Sequence, residues 1–203
     1  MKDIFEFMFP GLMLMWVCFI GNALFADIFE EYKSNTLARM IGSGMTLWEF
    51  LVSKVLRGMV VCWICELLLI VFTGIVFDVG WRNPLMLLML LTSFNLFLMG
   101  LLALVYGHAK STDLANGILV FVFLFSAMLG GSFVRFQDLP PALQAVGQWT
   151  MIRLGSYGIE SLFQSRPPWE AIRPSLILSA MGLFLLGLGI RVIRKRFESG
   201  NVA

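Results

Sequence analysis

Few side chains in this sequence could do chemistry, and the most telling is Glu66, set in the middle of the apolar run CWICELLLIVF. An ionisable residue inside a membrane-grade segment is costly, so it belongs against the bundle interior or against water. Two roles fit it: contact with a substrate, or a hydrogen bond to a neighbouring helix made in the protonated form. The second is the simpler. Asn22 and Asn95 also interrupt apolar runs and read as interhelical hydrogen-bonding residues before ligands, although with Glu66 they are the polar positions a pathway would use. Cys62 and Cys65 spell C-x-x-C, but only Cys18 and the single histidine, His108, could be added to them. A metal site therefore lacks ligands, and packed helix residues are the better account. All three cysteines lie in apolar runs and say nothing about redox compartment.

Other catalytic constellations fail on spacing. Glu30-Glu31 is similar to the opening of the paired-glutamate membrane protease motif, but those enzymes carry an arginine four positions after the second glutamate, where this chain has Asn35. They also need further histidines. Neither Gly42-Ser43-Gly44 nor Gly130-Gly131-Ser132 makes a G-x-S-x-G elbow. His108 stands at the edge of an apolar run and marks an interfacial helix end. No G-x-x-x-x-G-K-[ST] occurs, so nothing here cradles nucleotide phosphates in that way. If ATP drives the system, another polypeptide binds it. The expectation is a chain without catalytic activity and without a cofactor of its own.

The elements that must position these residues follow from composition. Of 203 residues, 59% are hydrophobic and 14% charged, and the mean hydropathy is +0.84. Soluble domains carry charge at about a quarter of positions, so this is an integral membrane protein of all-α, polytopic class. The net charge of +2, dispersed along the chain, gives no nucleic-acid surface. Five spans are expected, over 5–26, 59–77, 84–106, 114–131 and 174–193, the first of them long enough to cross about 30 Å of hydrocarbon. Pro10-Gly11 marks an entry turn or kink in the first. The second helix opens at Leu47 and runs to about Phe77, with Lys54 and Arg57 in the headgroup region. Pro84 suits the first position of the third span, and Ser111, Thr112 and Asp113 are candidate caps for the fourth.

Two polar segments remain. From Ile28 to Phe50, Phe29, Tyr32, Thr36, Leu37, Met40 and Ile41 recur at helical spacing, with Glu30, Glu31, Ser34, Asn35 and Arg39 opposite. This predicts an amphipathic surface helix, broken at Gly42-Ser43-Gly44. A new helix then starts with a Thr46/Glu49 capping box stapled by Met45 and Phe50. From 138 to 165 the pattern predicts two short interfacial helices, one capped by Asp138 with Leu139, Ala142, Leu143, Val146 and Trp149 on one face. The other is capped by Ser156, carries Tyr157, Ile159, Leu162 and Phe163, and ends at Pro167-Pro168.

On those residues the chain resembles a known family. The order Glu30-Glu31, Thr36-Leu37, Arg39, Glu49-Phe50 and Lys54 is similar to the coupling-helix region of ABC-2 type permeases, the membrane subunits of one class of ATP-binding-cassette exporters. GGSFVRFQDLPPALQAVGQWTMIRLGSYGIESLF is similar to their exit-side helix pair. The resemblance implies a single transmembrane domain over 1–203 whose coupling helix docks in a cleft of a separate ATPase, with Glu30, Glu31, Asn35, Thr36, Leu37, Arg39 and Met40 at that interface. It implies ATP on the partner, a second permease protomer, and a bilayer around both. These permeases usually carry six spans and a cytoplasmic amino terminus, whereas this chain starts at what resembles their second span. A fragment, a separately encoded half or a shortened variant would each look so.

Orientation follows from lysine and arginine bias. With the amino terminus outside and the carboxyl terminus in the cytoplasm of a cell inner (plasma) membrane, nine basic residues, among them Lys33, Arg39, Lys54, Arg57 and the Arg191–Arg196 cluster, face inward against six outward. The expected function is that of the permease subunit of an ATP-driven exporter. The alternative is a non-transporting scaffold or assembly subunit, or a non-autonomous fragment of a permease.

Overall fold

The computed structural model describes residues 2–33, 44, 46–77, 83–164 and 166–198. Among them every regular element is helical: α1 (Lys2–Lys33), α2 (Leu47–Phe77), α3 (Pro84–His108), α4 (Thr112–Leu129), a 3-10 turn (Phe136–Asp138), α5 (Pro141–Gly147), α6 (Met151–Phe163) and α7 (Trp169–Glu198). Five contain stretches long and apolar enough to cross a membrane: Met8–Asp27, Trp48–Val76, Pro84–His108, Thr112–Leu129 and Trp169–Lys195.

The bundle is built around α3, which packs on α1, α2, α4, α6 and α7 and buries Leu90, Leu91, Phe94, Leu98, Met99, Leu102 and Tyr106. Its most extensive neighbour is α7. Glycine is what lets those two approach so closely. A Cβ at Gly182 would sit 2.7 Å from the Phe97 nitrogen, and one at Gly189 would sit 2.6 Å from the Leu104 nitrogen. Backbone atoms cannot rotate aside as a flexible side chain can, so small residues here admit contact between helix backbones. The Ser179 hydroxyl bonds that of Ser93 across the same seam at 2.9 Å. Gly182→Ala is therefore expected to destabilise the purified protein by about 1–3 kcal/mol, read as a lower melting temperature in detergent. An equal change at Gly187, whose added Cβ would meet nothing, should be nearly silent.

By contrast α2 is the least covered span. Leu51, Val55, Cys62, Glu66 and Thr73 recur along one narrow buried stripe, while Leu68, Val71, Phe72 and Ile75 are exposed. An apolar helix buried on a stripe and open elsewhere is suited to lipid on its outer face.

Several local expectations change. The polar segment does not begin as a separate surface helix at Ile28, because α1 continues unbroken to Lys33. No breaker separates Ala26 from Lys33, and Glu and Lys are good helix formers; a change from apolar to polar sequence is no break in the backbone. Pro10 lies inside α1 and so marks no entry turn. The last span begins before Pro174, at Trp169, since Pro167 and Pro168 accept the first backbone bonds from Glu170, Ala171 and Ile172. Asp138 closes the 3-10 turn and does not cap α5, whose N-cap is Pro140 with Pro141 next, the position where a missing N–H does no harm. Thr150, not Ser156, caps α6, accepting from the Arg153 N–H at 3.4 Å. Ser156 lies within that helix and donates to the Arg153 carbonyl. Pro84 and Ser111 do open their helices, Ser111 accepting from Leu114 N–H at 3.2 Å. The staple residue Met45 lies outside the described residues.

Candidate functional site

Two polar clusters lie between the spans. In the first, the Tyr106 hydroxyl of α3 donates to Asn22 Oδ1 of α1 at 2.9 Å, and Asn22 Nδ2 donates to Asn116 Oδ1 of α4 at 2.6 Å. One asparagine, used as both acceptor and donor, thus ties three helices. Beside it opens a crevice of about 330 Å³ between α1 and α4, lined by Phe19, Asn22, Ala23, Ala26, Thr112, Asp113, Asn116 and Val120. An apolar wall with a few convergent carboxyl and amide groups is the usual make-up of a small-molecule site.

The second cluster lies between α2 and α3, where Asn95 Nδ2 donates to Glu66 Oε2 at 2.9 Å and both residues are fully buried. Glu66 therefore faces the bundle interior and bonds a neighbouring helix. It does not line the crevice.

At the ends of the spans, polar side chains hold the helices in place. Thr46 N–H donates to Glu49 Oε2 at 2.8 Å and Glu49 N–H to Thr46 Oγ1 at 3.2 Å, the reciprocal capping box that starts α2. Arg57 of α2 pairs with Asp27 of α1 at 3.2 Å. At the end of α3, His108 Nδ1 lies 2.9 Å from the Leu104 carbonyl. On α6, two turns apart on one face, Arg153 and Glu160 form a largely buried ion pair at 3.1 Å, with the guanidinium 4.3 Å from the centre of the Phe136 ring. Burial pushes the Glu160 carboxyl above its ordinary range, and the Arg153 cation pulls the other way. Tyr157 and Arg166 both bond Glu170, fastening α6 to the start of α7.

Set against known proteins, residues 1–191 match the profile of the family described as ABC-2 family transporter protein. The chain belongs to that family. No curated protein and no solved structure matches it. As an ABC-2 permease it is a multi-pass membrane component of an ABC transporter, in a family whose membrane subunit is a transport component and not itself catalytic.

Within this ABC-2 chain the residues singled out by sequence divide into three groups. Asn22 enters the α1–α3–α4 cluster, and Glu66 and Asn95 meet each other. Glu30 and Glu31 occupy the last turn of α1. Asn35, Thr36, Leu37, Arg39 and Met40 lie outside the described residues. Sequence reasoning missed Tyr106 and Asn116. Asn116, one turn into α4 behind three candidate caps, passes for part of a helix start, and Tyr106 passes for an interfacial aromatic. The signal that could have found them is level: each lies near a helix end at the same end of the bundle as Asn22.

Proposed function

We propose that this chain is the permease subunit of an ATP-driven exporter, that it works as a dimer with a second permease protomer, and that a separate ABC ATPase docks on residues 28–50. The observation that carries this reading is mechanical. α1 leaves the bilayer region as an unbroken helix through Glu30 and Glu31, and α2 re-enters from a defined cap at Thr46 and Glu49. A push on the segment between them would be delivered to two stiff rods rather than absorbed by slack chain. The Asp27–Arg57 pair ties the two rods near that end. Movement of α1 would alter the crevice it shares with α4, which offers a substrate a polar foothold. Nucleotide on the ATPase would act by differing in affinity for the two arrangements. Export direction, an inner-membrane location with the amino terminus outside, and ATP on the partner belong to the same proposal.

A cysteine placed at Asn35 tests docking and orientation together. The expected result is crosslinking to a co-expressed Walker-type ATPase and no reaction with an impermeant maleimide added to intact cells. Labelling from outside, or an ATPase that never crosslinks or co-purifies, would leave the scaffold or assembly role as the better account.

A further inference from the structure

The Glu66–Asn95 contact is half of a larger arrangement. Asn95 Nδ2 bonds Glu66 Oε2, yet Glu66 Oε1 and Asn95 Oδ1 are both buried and neither has a hydrogen-bond partner. Two acceptors left over beside one formed bond is a costly state in a low-dielectric interior.

Among the described residues, nothing basic stands near enough to support an ionised Glu66. α2 packs on α1, α3 and α7. The sequence has no Lys or Arg between Lys2 and Lys33 on α1, none on α3, and none between Arg173 and Arg191 on α7. On α2 itself the nearest is Arg57, nine residues and roughly 13 Å along the axis away, and already paired with Asp27. The titratable groups in electrostatic reach of the carboxyl are the thiols of Cys18 on α1 and Cys62 on α2, with Cys65 next to Glu66 in sequence. None supplies a positive charge. An unpaired carboxylate buried in this way is disfavoured far more strongly than the neutral acid.

We propose that Glu66 carries a proton and closes a two-bond ring with Asn95, making the acid–amide pair a proton-dependent latch between α2 and α3. The carboxyl and the amide are planar forks of matching span. With Nδ2–H bonded to Oε2, the atoms left to meet are Oε1 and Oδ1, and one proton on Oε1, donated to Oδ1, satisfies both. That proton comes from solvent and returns to it. Its loss leaves one bond and sets a carboxylate against a carbonyl oxygen, so the latch weakens as pH rises. The latch fixes α2, the least covered span, near its middle to the helix at the centre of the bundle. It stands whether or not an ATPase drives α2.

Infrared difference spectra of the purified full-length protein, wild type minus Glu66→Gln, test it at neutral pH. The expected result is the carbonyl stretch of a hydrogen-bonded carboxylic acid, moved to higher frequency in Asn95→Leu. Carboxylate stretches in its place would overturn the proposal. So would a band that shifts with Trp63→Phe and not with Asn95→Leu, because Trp63 Nε1, one turn earlier on α2, is also an unpartnered buried donor. Stability supplies a second readout. Glutamine keeps both bonds, so Glu66→Gln should melt close to wild type while Glu66→Leu and Asn95→Leu melt well below it. Loss of the latch proton removes one bond in wild type and none in Glu66→Gln, so the melting temperature of wild type should fall relative to Glu66→Gln as pH rises. A Glu66→Gln protein as unstable as Glu66→Leu, or parallel pH profiles for wild type and Glu66→Gln, would contradict the latch.

Discussion

Replacing Arg153 with alanine is expected to destabilise the protein by about 3 kcal/mol or more, the range seen when one partner of a buried ion pair is removed. The side chains of Arg153 and Glu160 are only 14% and 16% exposed, so the carboxylate would be left with little water and without its cation. The loss also takes the guanidinium from the face of Phe136, a contact specific to a planar cation. Arg153→Lys should consequently recover only part of the deficit. The pH dependence separates charge from packing. With Arg153 gone, most of the influence that holds the Glu160 carboxyl down disappears, only the weaker pull of Arg166 remains, and burial raises it further. Folded Arg153→Ala then binds a proton at pH values where the unfolded chain has released it. Its stability should fall as pH rises through the interval above the ordinary carboxylate range and level off once Glu160 ionises in the folded state. Acid conditions should narrow the gap to wild type, and Arg153→Ala/Glu160→Gln should narrow it at every pH. A deficit that does not change with pH would mean that lost packing on Phe136 accounts for all of it.

The second large effect is expected at Asn22. Asn22→Leu keeps the γ-branched outline but removes the acceptor of the Tyr106 hydroxyl and the donor to Asn116 Oδ1. Losing a hydrogen bond costs about 0.5–1.5 kcal/mol, and here two are lost, one to Tyr106 and one to Asn116. The controls follow from the same geometry. Tyr106→Phe removes the hydroxyl as well, so Asn22→Leu/Tyr106→Phe should be more stable than the sum of the single changes predicts, a non-additivity that reports the bond directly. Additive melting shifts would show that the two side chains do not act together. Because Asn22 also lines the crevice between α1 and α4, Tyr106→Phe offers a way to weaken the cluster without altering the crevice wall.

What the sequence revealed and what it hid have physical reasons. Runs of twenty or more apolar residues have one solution in a bilayer, so an all-helical bundle with five spans was legible from hydropathy. The Thr46/Glu49 box was legible too, because a capping box is a local pattern of two residues three apart. Asn22, Glu66 and Asn95 could be picked out because a polar residue within an apolar helix needs a partner. The partners themselves were not visible: whether Asn95 meets Glu66, or Asn22 meets Tyr106, depends on how α1, α2 and α4 rotate about α3. Helix ends proved the least readable. The continuation of α1 through Glu31 and the start of α7 at Trp169 are obscured because polarity and proline resemble breaks, when neither stops a helix whose first turn or charged residues can be satisfied by water. The Arg153–Glu160 pair needed knowledge that α6 starts at Met151, which puts residues seven apart on the same side.

The glycine seam between α3 and α7 limits where this molecule can change shape. Side chains packed between helices act as bearings that allow a small slide, but where Gly182 and Gly189 meet main chain, no such cushion exists. Those two rods form a keel. The movement proposed for an ATPase-driven cycle would fall to the lighter planking of α1 and α2.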